Sequence, residues 1–356
     1  MKKLTFFVGS MILPLLLLAQ YRISGIITDV KTGLPLTGAS VFCQNTTLGT
    51  VTATDGKFTL TVPDGGYDIV VSYSGYETQS ARISRSMDNI GNLTFALKEK
   101  EKNLEEVSIV ATTEVRNGWE KYGTFFIEEF IGATENSQQC EILNPSSLRF
   151  FYSKKKNRLK IIGNEDILIL NQALGYRIRY QLDSFIHDYG SGLTQFTGYP
   201  LFETLDSTEE VNARWKAKRE EAYLGSLIHF MRAFYNKRLK EEGFKLEYTD
   251  STGKQHAILD PYADDISTVE DGELIIDPPG KLRVVYLDEL PESGYLKRNN
   301  LSAGTSVQIS QLDLREPLWV ERNGYQYDQR SMLVLGYWAW EKIADLLPYD
   351  FVWNDE

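Results

Sequence analysis

The sequence predicts a mainly β protein. We expect an N-terminal antiparallel β-sandwich of the seven-stranded type, followed by a larger α+β domain with antiparallel strands and one long helical segment. Three observations support this fold class. The chain has 356 residues, which suits two domains. Apolar and polar residues alternate in short runs over most of the chain, as half-buried strands require. The period becomes helical over one long stretch, between residues 208 and 243.

Residues 1–19 are predicted to be a cleavable signal peptide. Lys2 and Lys3 precede an apolar run from Leu4 to Leu18, and Ala19 follows it. A membrane-spanning anchor is the alternative, but the run is shorter than the roughly 18 apolar residues that a span needs, and strand-like sequence follows at once. The exact cleavage site stays open, because Leu17 stands where a small residue is usual. We therefore expect an exported protein without a transmembrane span in the mature chain.

Residues 21–98 are predicted to form the sandwich. Glycine and aspartate separate the apolar runs at Asp55-Gly56 and at 64–66, where hairpins need residues that tolerate positive φ. The predicted strands are 23–27, 41–43, 58–62, 67–73 and 93–97.

The same segment resembles a known family. In order and spacing it is similar to the carboxypeptidase-regulatory-like domain, a prealbumin-like sandwich common at the N-termini of cell-envelope proteins of Bacteroidota. The resemblance rests on Ile26-Ile27-Thr28-Asp29, Thr32-Gly33-Leu34-Pro35-Leu36, Gly38-Ala39-Ser40-Val41, Thr54-Asp55-Gly56-Lys57-Phe58 and Ser74-Gly75-Tyr76. The family includes extensions of TonB-dependent nutrient receptors and accessory domains of some zinc carboxypeptidases, so the resemblance implies a folding or docking module.

Residues 99–117 are predicted to be a linker, because alternating Lys and Glu open it, although the apolar stretch 107–111 could add an edge strand to either domain. Residues 118–356 form the predicted second domain, which begins with a helix over 119–130 that ends near Gly132. Strands are predicted at 148–152, 158–162, 167–170, 175–187 with 193–202 as its hairpin partner, 245–248, 282–287, 307–312 and 318–320. A short helix should follow Trp340.

The long helical segment is predicted to be broken near Gly225 and to end at Gly243, as a helix C-cap would. Its basic residues fall mostly away from the apolar stripe, which indicates a solvated face. A surface for a partner or for lipid headgroups is the alternative. Parts of this domain resemble a recurring second half of uncharacterised carboxypeptidase-regulatory-like proteins, namely 140–145, 174–176, 198–202, 219–226, 229–230, 336–338 and 347–348.

Motifs for catalysis are missing from the sequence, and we predict no enzyme, no catalytic residue, no cofactor and no metal site. The three histidines, His187, His229 and His256, lack the carboxylate spacing of a zinc peptidase. A nucleophile elbow, a phosphate loop and a dinucleotide fingerprint are absent as well. The acid-rich stretch from Asp260 to Asp277 lacks the order of an EF-hand loop, so we expect a solvated loop, with weak Ca²⁺ binding as the alternative.

Two cysteines occur, Cys43 and Cys140, and we expect two separately buried thiols rather than one disulfide. The formal net charge of −11, with basic residues scattered among acids, argues against nucleic acid as a partner. A set of aromatic side chains could face a sugar or peptide ligand, although core packing explains them equally well. These are Trp319, Tyr325, Tyr327, Trp338 and Trp340.

The sequence as a whole predicts an exported, non-catalytic protein of the periplasm or outer-membrane surface. Its partner would be an envelope protein or glycan, bound through exposed sheet edges and the helix face. Two alternatives remain open at this stage. A carbohydrate-binding module protein would show a flat, exposed row of aromatics, whereas a hydrolase acting on envelope polymers would show a pocket with paired acidic groups.

Overall fold

The computed structural model describes residues 20–84, 87, 90–100, 114–327 and 331–353. The predicted signal peptide, and residues 101–113 of the predicted linker, lie outside the described residues. Within the described ranges the protein is mainly β, and most strand pairs are antiparallel, which confirms the predicted fold class. No helix in these ranges is both long enough and apolar enough to span a membrane.

The N-terminal region is a sandwich of seven strands in two sheets, of order β4-β1-β7 and β3-β2-β5-β6. Its strands are β1 (Gln20–Asp29), β2 (Ser40–Cys43), β3 (Gly49–Val51), β4 (Lys57–Pro63), β5 (Tyr67–Ser72), β6 (Gln79–Ile83) and β7 (Leu93–Leu97). Alternation decides which face is buried: Phe58, Leu60 and Val62 are buried while the residues between them are exposed. The pairing of β7 with β1 is parallel, which is one departure from the predicted antiparallel sandwich. Sequence patterning missed β3 and β6 because neither strand carries a clear apolar face.

The second region opens with a helix and a six-stranded sheet. The helix is α1 (Gly118–Phe130), and the strands are β8 (Cys140–Ile142), β9 (Leu148–Ser153), β10 (Arg158–Gly163), β11 (Ile167–Asn171), β12 (Tyr176–Asp188) and β13 (Leu193–Thr204). The long strand β12 has β11 along its first half and β10 along its second half, both on one edge. Strand β13 pairs along the whole opposite edge of β12, with a bulge at Leu182/Ser184, so β13 forms the border of this sheet.

Two further sheets complete the second region. A five-stranded sheet has the order β15-β14-β18-β19-β21, and a three-stranded sheet has the order β16-β17-β20. The strands are β14 (Phe244–Thr249), β15 (Gln255–Ala257), β16 (Ser267–Glu270), β17 (Glu273–Ile276), β18 (Lys281–Tyr286), β19 (Gln308–Leu314), β20 (Leu318–Val320) and β21 (Met332–Gly336). The helices are α2 (Glu209–Tyr223), α3 (Leu227–Tyr235) and α4 (Ser293–Arg298). Strand β21 pairs with β19 alone and is therefore a border strand as well.

The long helical segment is broken where the sequence predicted, but it ends earlier. Gly225 has a φ of 73°, which interrupts the helix, and the Ser226 side chain then accepts a hydrogen bond from the His229 N–H to cap α3. The predicted end at Gly243 is wrong: α3 ends at Tyr235, because the left-handed Lys237 (φ 57°) prevents the helix from continuing.

Two arginines depart from the predicted solvated face. Arg232 is only 4% exposed and donates hydrogen bonds to the carbonyls of Asn323, Tyr349 and Phe351. Arg219 is half-buried and donates to the carbonyl of Leu174. Both side chains therefore hold together elements that are distant in the sequence, rather than facing solvent.

The prediction of a solvated loop between Asp260 and Asp277 is wrong for its second half. Strands β16 and β17 form a hairpin there, whose turn at Asp271 and Gly272 has positive φ at both positions. Leu274 and Ile276 of β17 are buried in the core, which anchors the hairpin. The described residues contain no group of three or more His, Cys, Asp or Glu side chains that could hold a metal ion. Cys43 and Cys140 are both free, the former buried and the latter half-buried.

The sandwich and the second region share part of their core. Tyr325 and Tyr349 belong by sequence to the predicted second domain, yet both pack in the hydrophobic cluster of the sandwich. Backbone hydrogen bonds join the two regions at β13, where the Phe202 N–H donates to the Thr46 carbonyl at 2.9 Å. The C-terminal segment adds a third contact, since the Tyr349 N–H donates to the Asn45 carbonyl at 2.7 Å. The sandwich is thus supported by the second region rather than connected to it only in sequence.

Candidate functional site

Two neighbouring cavities lie between the border strands β13 and β21, with volumes of about 330 Å³ and about 670 Å³. Seven residues line both cavities, so the two form one groove, which we call the β13–β21 groove. These residues are Phe196, Thr197, Met332, Val334, Trp338, Glu341 and Lys342. The groove has the size of a ligand-binding cleft, and both long sides are formed by the borders of sheets.

Strand β21 presents unpaired backbone groups to this groove. The Arg315 N–H donates to the Ser331 carbonyl at 2.9 Å, one position beyond the β19–β21 register. In an antiparallel ladder the hydrogen-bonded pairs alternate with pairs whose backbone groups point away from the partner strand. The N–H and C=O groups of Met332 and Val334 therefore point away from β19 and toward the open side.

The same alternation applies to β13 on the other side of the groove. The Phe202 N–H donates to Thr46 of the sandwich, so the even-numbered residues of β13 turn their backbone groups away from β12. By the same alternation, the backbone N–H and C=O groups of Thr194 and Phe196 point toward the groove. Within the described part of the chain, no group outside the two ladders hydrogen bonds to the backbone of these two residues or of the two in β21. Each side of the groove thus offers donors and acceptors at the spacing that an added β-strand would use.

The sandwich closes one end of the groove. Gln44 and Asn45, which follow β2, line the smaller cavity. The Asn45 N–H donates to the Pro200 carbonyl at 2.7 Å, and the Gln44 Nε2 donates to the Gly198 carbonyl at 3.3 Å. These contacts occupy the second half of the β13 edge and leave its first half open.

The smaller cavity is apolar on most sides and contains one isolated carboxyl group. Its apolar walls include Phe196, Leu227, Met332, Val334 and Leu346. The carboxyl group belongs to Glu341, which lies in the connection between two short 3₁₀ turns, Tyr337–Ala339 and Ile343–Asp345. Burial is the main cause that raises its pKa well above the usual range, and nearby acidic residues add to the effect, Asp345 first among them.

The other charged groups near the cavity already have partners. Asp345 accepts hydrogen bonds from Thr134 Oγ1 and Asn136 Nδ2, both at 2.8 Å, although burial still raises its pKa to about 6. Lys342 Nζ lies 3.1 Å from a carboxylate oxygen of Glu129, which also pairs with Arg298 at 2.8 Å. The Glu341 carboxyl group, by contrast, has no hydrogen bond or ion pair to another described residue, although the Glu341 backbone N–H donates to the Tyr337 carbonyl at 3.2 Å.

The five aromatics predicted to face a ligand lie in different places. Trp338 lines both cavities, is 6% exposed, and donates from Nε1 to the Gly225 carbonyl at 2.7 Å. Trp340 is buried and donates from Nε1 to Glu292, whereas Tyr325 is buried in the sandwich cluster. Trp319 and Tyr327 are half-buried and stack on each other with ring centroids 6.2 Å apart. These side chains do not form a single exposed row, and only Trp338 contributes to the groove.

Sequence reasoning missed the residues that form the groove. Strand β21 and the position of Glu341 were not singled out, because a border strand is defined by its missing neighbour, and that is a tertiary property. The three histidines, for which the sequence predicted no metal site, do not line the groove. His229 Nε2 is 2.8 Å from Glu242, His256 Nε2 is 2.7 Å from Asp250, and His187 Nδ1 is 2.8 Å from the Thr194 hydroxyl.

Comparisons with known proteins bear mainly on the N-terminal region. Residues 23–109 match the family model of the CarboxypepD_reg-like domain, which confirms the resemblance seen in the sequence. A TonB-dependent receptor P3 of Formosa agariphila is 23% identical over 123 residues, which is 35% of this chain and 11% of the receptor. The chain therefore spans about a tenth of the length of this relative. The name TonB-dependent receptor is that of the relative and not of this chain.

Similarities to solved structures are weak. The 3-chlorocatechol 1,2-dioxygenase of Rhodococcus opacus 1CP is 12% identical, with a TM-score of 0.19 and coverage of 23% of this chain and 60% of the other. A putative membrane-associated protein of unknown function from Bacteroides fragilis NCTC 9343 is 10% identical, with a TM-score of 0.19 and coverage of 89% and 95%. Neither TM-score is high enough to carry an argument about fold or function.

Proposed function

We propose that the protein is an exported, non-catalytic component of the cell envelope that binds an extended polypeptide by strand addition in the β13–β21 groove. The observation that carries this proposal is the pair of open strand borders facing one cavity. Strand addition satisfies the backbone groups of Met332, Val334, Thr194 and Phe196, and main-chain hydrogen bonds then supply affinity. The cavities between the two borders accommodate alternate side chains of the added strand.

The envelope location is supported by two features of the N-terminal region. The basic and apolar pattern of residues 1–19 is typical of a secretory signal. The CarboxypepD_reg-like match and the similarity to a TonB-dependent receptor also favour the periplasm or the outer-membrane surface. In this proposal the sandwich acts as a docking module that closes the groove, since Gln44 and Asn45 line it.

Amide hydrogen exchange tests the proposal directly. A library of extended peptides of about eight residues, the length of an ordinary strand, would be screened for binding to the mature protein. Bound peptide is expected to slow exchange at the amides of Met332, Val334 and Phe196, because each gains a hydrogen-bond acceptor. Protection confined to other surfaces would contradict the proposal. Binding of glycan fragments alone, with these amides unchanged, would favour a carbohydrate-binding protein instead.

A pair of variants at one position gives a second test. Val334→Pro removes the outward N–H of β21, whereas Val334→Thr retains it with a side chain of nearly the same shape. Proline is tolerated at a border strand when its missing N–H faces away from the sheet, so both variants should fold. We expect peptide binding to be lost in Val334→Pro and retained in Val334→Thr. Equal binding by both variants would refute strand addition along β21.

A hydrolase is a second candidate, which one observation favours. Glu341 and Asp345 both line the smaller cavity, and their environments raise the two pKa values to different extents. Unequal carboxyl groups in one pocket are the usual arrangement of an acid and a base. Two hydrogen bonds already hold the Asp345 carboxylate, which argues for a structural role. Release of soluble fragments from purified cell-wall sacculi by the wild-type protein, abolished in Asp345→Asn, would establish hydrolysis.

A further inference from the structure

The smaller cavity is lined by two residues whose side-chain acceptors lack a donor among the described residues. The Glu341 carboxyl group makes no hydrogen bond or ion pair with another described residue, whereas the Glu341 backbone N–H donates to the Tyr337 carbonyl at 3.2 Å. Asn45, which is 6% exposed, has a buried Oδ1 without a donor among the described residues, while its Nδ2 donates to the Leu347 carbonyl. A half-buried carboxyl group and a buried amide oxygen therefore belong to two residues that line the same cavity. Both would be satisfied by a ligand that brings donors and positive charge.

Among the residues that the structure describes, no cationic side chain pairs with Glu341. Lys342, the nearest in sequence, is 3.1 Å from Glu129 instead. Arg232, a residue of α3, donates hydrogen bonds to three carbonyl groups. Arg315 lines only the larger cavity. Glu341 is half-buried and lines a mostly apolar, ligand-sized cavity, where water solvates its carboxylate poorly, so a cationic partner that arrives from outside would stabilise the charged form.

The walls of the cavity suit the stem of a basic side chain. Lysine and arginine bury their methylene groups along apolar surface while the charged end seeks a polar partner. Phe196, Met332 and Val334 line both cavities, and Glu341 lines them together with these apolar residues. An added strand sends every second side chain to the same face, so one side chain of the strand can enter the cavity.

We infer that the polypeptide bound in the β13–β21 groove carries a lysine or arginine whose side chain enters the smaller cavity and pairs with Glu341. The inference rests on the proposed function and defines its partner class: an extended segment with a basic residue at one fixed position. The neighbouring acids Asp345, Glu289 and Glu292 add negative potential around Glu341 and further favour a cationic side chain.

The test uses a displayed library of random peptides of about eight residues, selected on the full mature protein. We expect the selected sequences to share a basic residue at one position. The best peptide is then synthesised with lysine or with norleucine at that position, since norleucine keeps the stem and lacks the charge. The binding affinity of each form is measured for the wild-type protein, for Glu341→Gln and for Glu165→Gln. Glu165 is exposed, so Glu165→Gln controls for the change in net charge alone.

Replacement of the peptide's lysine by norleucine is expected to weaken its binding to the wild-type protein by about tenfold or more. The same replacement should weaken binding to Glu341→Gln much less. Glu165→Gln should behave as the wild type. The Glu341 carboxyl group is half-buried and has no partner among the described residues, so its replacement by an amide of the same shape should not impair folding, and circular dichroism would verify this. Equal losses in all three proteins, or selected peptides without a shared basic residue, would overturn the inference.

The proposed function and this inference fail in different ways. If the selected peptides protect the Met332 and Val334 amides from exchange but show no preference for a basic residue, strand addition is supported and the pairing with Glu341 is refuted. Absence of any selected peptide would overturn both.

Discussion

Replacement of Tyr325 by alanine should open the sandwich, although this residue lies more than two hundred positions after the last sandwich strand ends. Tyr325 is 2% exposed and packs in the sandwich cluster, with its ring centroid 5.7 Å from that of Tyr349. A buried aromatic ring removes about 150 Å² from water, which corresponds to about 4 kcal/mol at about 25 cal/mol per Å². Since a residual cavity adds to this loss, we expect Tyr325→Ala to destabilise the sandwich by about 3–5 kcal/mol.

Cys43 provides a site-specific assay, because it is fully buried within the sandwich. In a Cys140→Ser background, the rate at which a disulfide reagent labels Cys43 reports how often the sandwich opens. A loss of about 3 kcal/mol raises the open population about a hundredfold, so labelling of Tyr325→Ala should be about a hundred times faster. Tyr248→Ala, in β14 and outside the sandwich cluster, serves as a matched control and should leave the rate nearly unchanged.

One pattern of results would show that Tyr325 does not support the sandwich core. Tryptophan fluorescence follows the second region alone, because all the tryptophans lie after residue 118. If Tyr325→Ala lowers the midpoint of that fluorescence transition and leaves Cys43 labelling unchanged, the sandwich core does not depend on Tyr325. A rise in labelling together with the fluorescence change would instead show that the two regions open as one cooperative unit.

Two further predictions concern charge and capping. Glu321 is buried beside Glu273, and burial first, followed by this neighbour, raises its pKa to about 7. A carboxyl group whose pKa is raised on folding contributes stability at pH values below its unfolded-state pKa, and this contribution is lost as the pH rises through about 7. In chemical unfolding, Glu321→Gln should therefore be more stable than the wild-type protein by about 1–3 kcal/mol at pH 8 and nearly equal to it at about pH 4. A larger difference at the acidic pH would reverse the assigned sign. Ser226→Ala removes the cap of α3 and should cost about 1 kcal/mol, while Ser226→Asp should retain most of it; equal thermal midpoints for the three proteins would show that the cap contributes nothing.

The sequence determined the elements whose residues alternate clearly. Tyr176, Ile178 and Tyr180 alternate with polar residues, and the strand is found at Tyr176–Asp188 with its hairpin partner at Leu193–Thr204. Gly225 marked the helix break because a glycine with positive φ ends a helix locally. These signals are visible in the chain because they depend on neighbours within a few residues.

Other elements had no such signal. The three residues of strand β3 are exposed, half-buried and exposed in turn, so their burial gives no strand pattern. The strand forms because β2 pairs with it. Trp338 was singled out for a possible ligand-facing role, but only the fold shows that it lines the groove while its Nε1 bonds to Gly225. Tyr325 was singled out with it, yet packing places it in the core of another region.

The sequence by itself determined the β-rich class, the N-terminal domain family and most strand positions, because each depends on local alternation or on a contiguous motif. Only the tertiary structure decided the groove. Two strands that are more than a hundred residues apart, β13 and β21, face each other across it, and both are borders because no described strand covers their outer sides. The lack of a described partner for the Glu341 carboxyl group is of the same kind, since it depends on where the fold places the neighbouring donors, such as Lys342, which pairs with Glu129. No local pattern of residue types records that condition.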